Sequence, residues 1–392
     1  FRQKMAMTRE AFEGQLRINN PNDTAAIQGF MANFTVTDTL GHDYTDRFDI
    51  RIVSREGVDS TGNIAANSSG TITVRFVPLM SAAPTAPIPY LFGGEISYIN
   101  PFTSLPKSDE LNPVRLTVNP SPHLQFDYFV PHDIIADDPL TSPVIETSVP
   151  ATIGLRLLND GKGVANNVRA SSISPQITEN RQGLVVDFSI VRTMLDGVNT
   201  TQPLNDIDLG TVSPNGVHTF EYSLLSSLLG TLTIKDIHVI HNSSIDDKDM
   251  SLVDARAHRL VKPILQYGQG VDAIHDFLTD DIGNGYNIPD SLYFSDGTQT
   301  VVHAADTTTF DHYVTPDDTV VLVTVYPDSI GWNYGESDDP GRGKYEIISC
   351  VRDDNTEIPL PNIWLTFVDL PTDEDPVYVN KLHLADTLSV IR

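Results

Sequence analysis

The sequence predicts an all-β fold of tandem β-sandwich domains, and three observations carry that expectation. The first is a repeated segment. Leu16–Arg17–Ile18–Asn19–Asn20 and Leu155–Arg156–Leu157–Leu158–Asn159 each alternate apolar and polar residues, end in Asn, and lead through a short polar turn into a second apolar run. The two lie 139 residues apart, so the chain reads as two related β-rich modules in tandem. The second is the spacing of strand-length apolar runs, broken throughout by Gly, Pro and Asn. The third is composition: 392 residues with 40% hydrophobic and 20% charged content suit two to four folded domains rather than a disordered chain.

In the first module strands are expected near 12–19, 30–37, 49–53, 70–77, 94–99 and 114–118. The clearest, Thr71–Ile72–Thr73–Val74–Arg75–Phe76–Val77, puts Ile72, Val74 and Phe76 on one face, the period of a sheet with one wet side. The proline-rich run from Ala82 to Pro89 lacks donors for a central strand and is expected to cross between two sheets. Asn119–Pro120–Ser121–Pro122 marks a boundary, giving a first domain over 1–120.

A second module over 121–262 restarts at Leu124–Gln125–Phe126 and continues through strands near 151–158, 168–173, 184–190, 218–224 and 232–240. Helix is scarce; its best candidate is 251–260, although Pro263 just beyond also suits extended chain. A third, acidic all-β domain over 263–392 is expected to hold strands near 291–294, 319–326, 345–351, 363–368 and 377–383. Asp353–Asp354–Asn355 reads there as a hairpin turn.

The run Leu155 to Val168, with Asn159–Asp160–Gly161–Lys162–Gly163 followed by Ala165–Asn166–Asn167–Val168, resembles the strand–turn–strand of cell-adhesion-related (CARDB-like) modules. The resemblance covers residues 9–241, with Asn20–Pro21 where the family usually has a glycine. It implies immunoglobulin-like sandwiches within a long secreted or surface protein, and a scaffold role without catalytic residues. Asn and Gly in that turn suit left-handed geometry, and Ala165 allows close packing as the chain re-enters a sheet.

Charge narrows the partners. Asp and Glu total 52 against 25 Lys and Arg, a formal net charge of −27, which disfavours nucleic acid and anionic lipid. The excess grows along the chain, from −2 over 1–120 to −8 over 121–260 and −17 over 261–392. No apolar run approaches the ~20 residues of a membrane span. The opening Phe1–Arg2–Gln3–Lys4 reads as the interior of a longer chain, and an extracellular or cell-surface location is expected. Sequons at Asn22, Asn33, Asn67, Asn199 and Asn242 are the glycosylation candidates, Asn67 and Asn242 being preferred for their Ser-rich surroundings.

Catalytic signatures are missing: there is no H-E-x-x-H helix, G-x-S-x-G elbow or phosphate-cradling Gly-rich loop. Cys350 alternates within a strand pattern and reads as a sheet-facing thiol. His238 and His241 are three apart in a strand, so they face opposite ways and make a poor zinc pair. Asp206 and Asp208 could share a strand face but lack an aromatic cleft. The serious metal candidate is calcium on Asp280, Asp281, Asn284 and Asp290, four oxygen-bearing side chains around two glycines, with no EF-hand order. Its alternative is a solvated acidic loop. Tyr326, Trp332 and Tyr334 could stack on sugar rings, although loop tryptophans more often plug the open end of a sandwich, which is the preferred reading.

These readings make the chain a non-enzymatic spacer or packing segment of a modular extracellular protein, with neighbouring domains or other copies as partners. The alternative is a non-catalytic module that binds a glycan or protein ligand.

Overall fold

The computed structural model describes residues 4–138, 140, 143, 145, 147–171, 173, 175–177, 184–233, 237–242, 249–250, 253–268, 270–282, 288–304, 310–315, 320–325, 329–341, 343–370 and 377–388. Among these the fold is all-β. The helical elements are single-turn 3-10 helices at Thr45–Arg47, Met80–Ala82 and Leu360–Asn362.

The first eight strands are β1 (Met5–Met7), β2 (Phe12–Asn20), β3 (Gln28–Thr37), β4 (Phe48–Glu56), β5 (Ser68–Pro78), β6 (Ile88–Ile99), β7 (Pro106–Glu110) and β8 (Val114–Asn119). One sheet has the order β2–β5–β4 and the other β1–β8–β6–β3, with β7 paired to β6. They close over a shared aromatic core. Phe12 and Phe76 from the first sheet meet Phe92 from the second at 5.4 and 5.2 Å between ring centres. The segment between β5 and β6 does pass from one sheet to the other, as its prolines require.

The next strands are β9 (Leu124–Pro131), β10 (Asp133–Ile134), β11 (Ala151–Asn159), β12 (Ala165–Ser171), β13 (Gln176–Ile177), β14 (Phe188–Leu195) and β15 (Val198–Asn199). They are followed by β16 (Ile207–Val212), β17 (Val217–Ser226), β18 (Gly230–Thr233), β19 (His238–Asn242), β20 (Asp249–Met250) and β21 (Val253–Ile264). Strands β14–β17–β11–β9–β21 face β16–β12–β19–β20 across a core built from Phe126, Leu155, Leu157, Phe220 and Tyr222 on one side and Val168, Ala170, Ile207 and Val239 on the other. The strand expected over 184–190 lies further on, and its Ile190 and Val191 are exposed.

The repeated motif is built the same way twice. Asn20 donates to the carbonyls of Ala25, Ile64 and Ala65 and accepts from the amide of Asn22. Asn159 donates to the carbonyls of Gly163 and Val212 and accepts from the amides of Gly161 and His123. Both are fully buried, so each amide supplies partners that the turn backbone would otherwise lack. The strands on either side of each turn belong to opposite sheets. One expectation about this motif needs correcting: neither Gly161 nor Gly163 adopts a left-handed backbone. These glycines are small because the interdomain link lies against them. A Cβ at Gly161 would sit 2.2 Å from the His123 amide, and one at Gly163 2.1 Å from the Pro120 carbonyl. Thr8 completes this junction through its hydroxyl contacts to Ser121.

The remaining strands are β22 (Asp276–Thr279), β23 (Ser291–Tyr293), β24 (Gln299–Ala304), β25 (Phe310–Val314), β26 (Val321–Val325), β27 (Gly331–Asp338), β28 (Cys350–Val351), β29 (Glu357–Ile358), β30 (Ile363–Leu370) and β31 (Val377–Leu388). Most of them extend the sheet already begun. A single 12-stranded sheet runs β15–β14–β17–β11–β9–β21–β22–β23–β24–β27–β31–β30. Strand β21 is the hinge-pin of this arrangement. Val253 to Leu260 pair in parallel with β9, and Leu260 to Ile264 pair antiparallel with β22. Residues 253–260, the best helical candidate in the sequence, are therefore strand, captured by pairing with β9. The boundary expected at 262 falls inside β21.

Gly154 on β11 shows why the third region lies where it does. A Cβ there would come within 2.1 Å of the Phe277 ring, which stacks on Phe129 at 4.3 Å. Gly154→Ala is expected to destabilise the chain by about 1–3 kcal/mol through overpacking. Gly93→Ala, whose Cβ would meet neighbours at an ordinary 3.5 Å, should change stability by less than about 1 kcal/mol. Urea unfolding of the two variants checks the contrast.

Candidate functional site

The chemistry-bearing side chains gather at the seam between the second module and the region after β21. Alternation along β11 points Leu155 and Leu157 into the module core and Arg156 away from it. Arg156 is nevertheless 3% exposed, because β22, β23 and the turn after β23 cover that face. Its Nε and Nη2 donate to Asp127 Oδ2 at 3.2 and 2.7 Å, and its Nη1 to the carbonyls of Phe294 and Thr298. Its guanidinium also lies 5.0 Å from the centre of the Tyr293 ring.

His258 on β21 extends the network. Its Nε2 is 3.2 Å from Asp127 Oδ1, and its Nδ1 is 3.1 Å from Asp281 Oδ1. The Tyr293 hydroxyl donates to Asp281 Oδ2 at 2.6 Å. Burial pulls the His258 pKa down, but Asp127 and Asp281 outweigh it and leave the pKa raised. Burial likewise opposes the charge on Asp127 and Asp281, yet His258 with Arg156 on the first, and His258 with Tyr293 on the second, hold both below the usual carboxylate range.

A cleft of about 200 Å³ opens on the same seam. It forms where β9 gives out. Strand β9 pairs with β11 only as far as Gly154 and with β21 only as far as Leu260, so Thr152 and Lys262 flank a gap. Arg192, Glu221, Ser223, Pro263 and His275 complete much of the lining. Glu221 is 6% exposed and its two oxygens take up His275 Nδ1 at 2.9 and 3.1 Å. The Thr152 and Ser223 hydroxyls lie 3.2 Å apart.

The residues singled out in the sequence are spread more widely. Asp280 faces Arg259 at 3.7 Å, Asp281 faces His258 and Tyr293, and Asp290 accepts from the Ile282 amide and the Ser291 hydroxyl. These carboxylates are turned to separate protein partners, and no acidic or histidine cluster among the described residues forms a metal cage. Asn284 lies outside the described residues. Trp332 and Tyr334 are a correction to the sugar-stacking alternative. Both are buried, packed with Phe294 and with Trp364 and His383, so they present no open ring face. Tyr326 lies outside the described residues.

Asn33, Asn67 and Asn199 are exposed. Asn22 is not a presented sequon: it is 8% exposed and its amide bonds to Pro101 O, Thr24 and Ala25. The side chain of Asn242 lies outside the described residues. His238 is exposed and His241 buried, on opposite strand faces. Burial raises the Cys350 thiol pKa, as suits an inert side chain. The seam residues Arg156, Asp127 and His258 escaped sequence reading because nothing local distinguishes a covered outer face from a wet one.

No family model matches this chain, and no curated sequence matches it. Among solved structures, BcpA, the major pilin subunit of Bacillus cereus, aligns over 94% of this chain and 95% of its own, at 11% identity and a TM-score of 0.19. The periplasmic chaperone SfaE aligns over 65% of this chain and 97% of its own, at 11% identity and a TM-score of 0.19. The secreted serine protease VesC from Vibrio cholerae aligns over 64% of this chain, at 11% identity and a TM-score of 0.20, and the chain spans about half (51%) of that protease. Similarities of this degree decide neither topology nor function.

The seam titrates in a definite direction. A raised His258 pKa contributes stability that is full below the unfolded value of ~6.5 and is lost as pH rises through the folded value. A lowered Asp127 pKa contributes stability that is full above ~3.9 and is lost as pH falls through the folded value. Asp276, pushed up to about 6 chiefly by burial, adds a loss as pH rises from ~3.9, which moves the optimum toward the acid end of that window. His383, whose pKa burial holds down at about 4, works the other way and adds stability as pH rises toward ~6.5. The His258 share is therefore read as a difference between chains in denaturant unfolding: stability at about pH 8 relative to about pH 5 should be lower in the unaltered chain than in His258→Gln. Asp276, His383 and His218, whose pKa Asp196 raises, keep their shares in that variant. An equal change with pH in the two chains would contradict this assignment.

Proposed function

We propose that this chain is a stiff, non-catalytic segment of a long modular extracellular protein, acting as a spacer or packing unit in a surface appendage, filament or matrix. The observation that carries the reading is β21. One strand completes the sheet of the second module and begins the sheet of the third region, and buried charges close the seam beside it. A shared strand leaves no free linker at which the two parts could swing. The first junction is held as well, by Asn159, Gly161 and Gly163 against residues 120–123 and by Thr8 against Ser121. Interfaces of this kind favour a rod over beads on a string.

In this reading the tandem units are immunoglobulin-like sandwiches related to cell-adhesion modules, with the paired Asn20 and Asn159 anchors as their common mark. Neighbouring domains of the same protein, or other copies of it, are the partners. The exposed sequons Asn33, Asn67 and Asn199 suit a surface location. The absence of catalytic motifs from the sequence supports a structural role; the fold by itself does not, since folds of this class host many functions.

Small-angle X-ray scattering of the chain tests rigidity directly. The profile is expected to fit one fixed shape at low and at moderate salt, because screening reaches exposed charges far more than a buried seam. Profiles that require many arrangements of 263–388 against 121–262 would contradict the proposal.

A further inference from the structure

The cleft at the gap in the sheet is chemically unlike the rest of the molecule. In a chain of formal net charge −27, its lining has two basic side chains, Arg192 and Lys262, against one carboxylate, Glu221. That carboxylate is occupied by His275. Lys262 has no carboxylate partner among the described residues. Its ammonium lies 5.9 Å from the centre of the Trp364 ring, and burial holds its pKa below the usual lysine range. The Arg192 guanidinium donates to the sulfur of Met194, a weak acceptor. The Thr152 and Ser223 hydroxyls face one another in the same lining. Lys262 is thus a half-buried cation without a carboxylate, with exposed Arg192 at the same cleft, and such a cation favours an anionic guest.

Size restricts the guest further. A cleft of about 200 Å³ is smaller than the roughly 300–1,000 Å³ that drug-sized ligands occupy. It has room for a single sugar acid or one acidic side chain. We propose that this cleft is a binding site for a small carboxylate, held by Lys262 and Arg192 with the hydroxyls of Thr152 and Ser223. A carboxylate is the acceptor-only group that matches such a set, since each of its oxygens can take hydrogen bonds from an ammonium and a hydroxyl together. Glu221 stays out of its way by keeping to His275. The inference stands on the cleft alone and is independent of the spacer role.

Two sources could supply that group: the acid of a uronic sugar or the acidic side chain of a protein. Calorimetric titration of the full chain with glucuronate, and separately with N-acetyl-aspartate amide, distinguishes them. At least one is expected to bind saturably with roughly millimolar affinity, and the tighter names the source. In Lys262→Met, which keeps an unbranched stem beside Trp364, affinity should fall roughly tenfold or more, the loss typical of one charge-assisted hydrogen bond. Lys262→Arg should retain much of it. A melting temperature within about 2–4 °C of the unaltered chain shows that Lys262→Met has folded. Thr152→Val, which removes only a hydroxyl, provides a second variant and should weaken binding. Absence of saturable binding by both probes, or binding that Lys262→Met leaves unchanged, would overturn the proposal.

Discussion

The contact between Arg156 and Asp127 governs how the second half of this molecule is put together. Removing a guanidinium from water costs several kcal/mol, and the cost is offset only where every donor finds an acceptor. Here Asp127 and two carbonyls of the covering turn supply them, with the Tyr293 ring alongside. The geometry admits one register. Asp127 stands opposite Arg156 in the β9–β11 ladder, and on β21 Arg256 stands opposite it with His258 two residues further on. A slip of one residue in either pairing would leave a buried charge alone, so the pair specifies alignment more than it adds stability. Phe277 above Gly154 then fixes the depth to which the third region settles.

A second theme is the way an acidic chain disposes of its carboxylates. Histidines stand against them repeatedly: His42 on Asp38, His123 on Asp160 and Asp254, His218 on Asp196, His258 on Asp127 and Asp281, and His275 on Glu221. The exposed pairs contribute little, since water and salt screen them. Those at the seam are covered and contribute more. The third region, the most acidic part of the sequence, therefore uses some of its charge in holding itself to its neighbour.

Much of the fold was legible in the sequence, and the parts that were not share a cause. Period-2 alternation placed β2, β3, β5, β8, β9, β11 and β17 within a few residues of where they lie. The proline run marked the crossing after β5, and the turn residues Asp353, Asp354 and Asn355 do separate β28 from β29. Between helix and extended chain, strand β21 was left open because its exposed, alternating charges carry no apolar stripe; pairing with β9 decides its state. Gly154 and Arg156 alternate with the core residues Ile153, Leu155 and Leu157, and in an isolated module they would face water. What covers that face comes from more than 100 residues further along the chain, which no local pattern can announce. The burial of Asp280 beside Arg259, and the reach of Asp281 to His258 and Tyr293, likewise depend on strands that the loop's own sequence does not announce. The cleft was invisible because it is made by the end of a strand, and its lining residues lie on separate elements.

The central claim is that residues 124–388 form one cooperative body across β21. Differential scanning calorimetry tests it most directly, through the ratio of calorimetric to van't Hoff enthalpy. The account predicts a single transition for this part of the chain, and its division into two when Arg156→Met removes one half of the buried pair. Two independent transitions in the unaltered chain, each indifferent to Arg156, would contradict it.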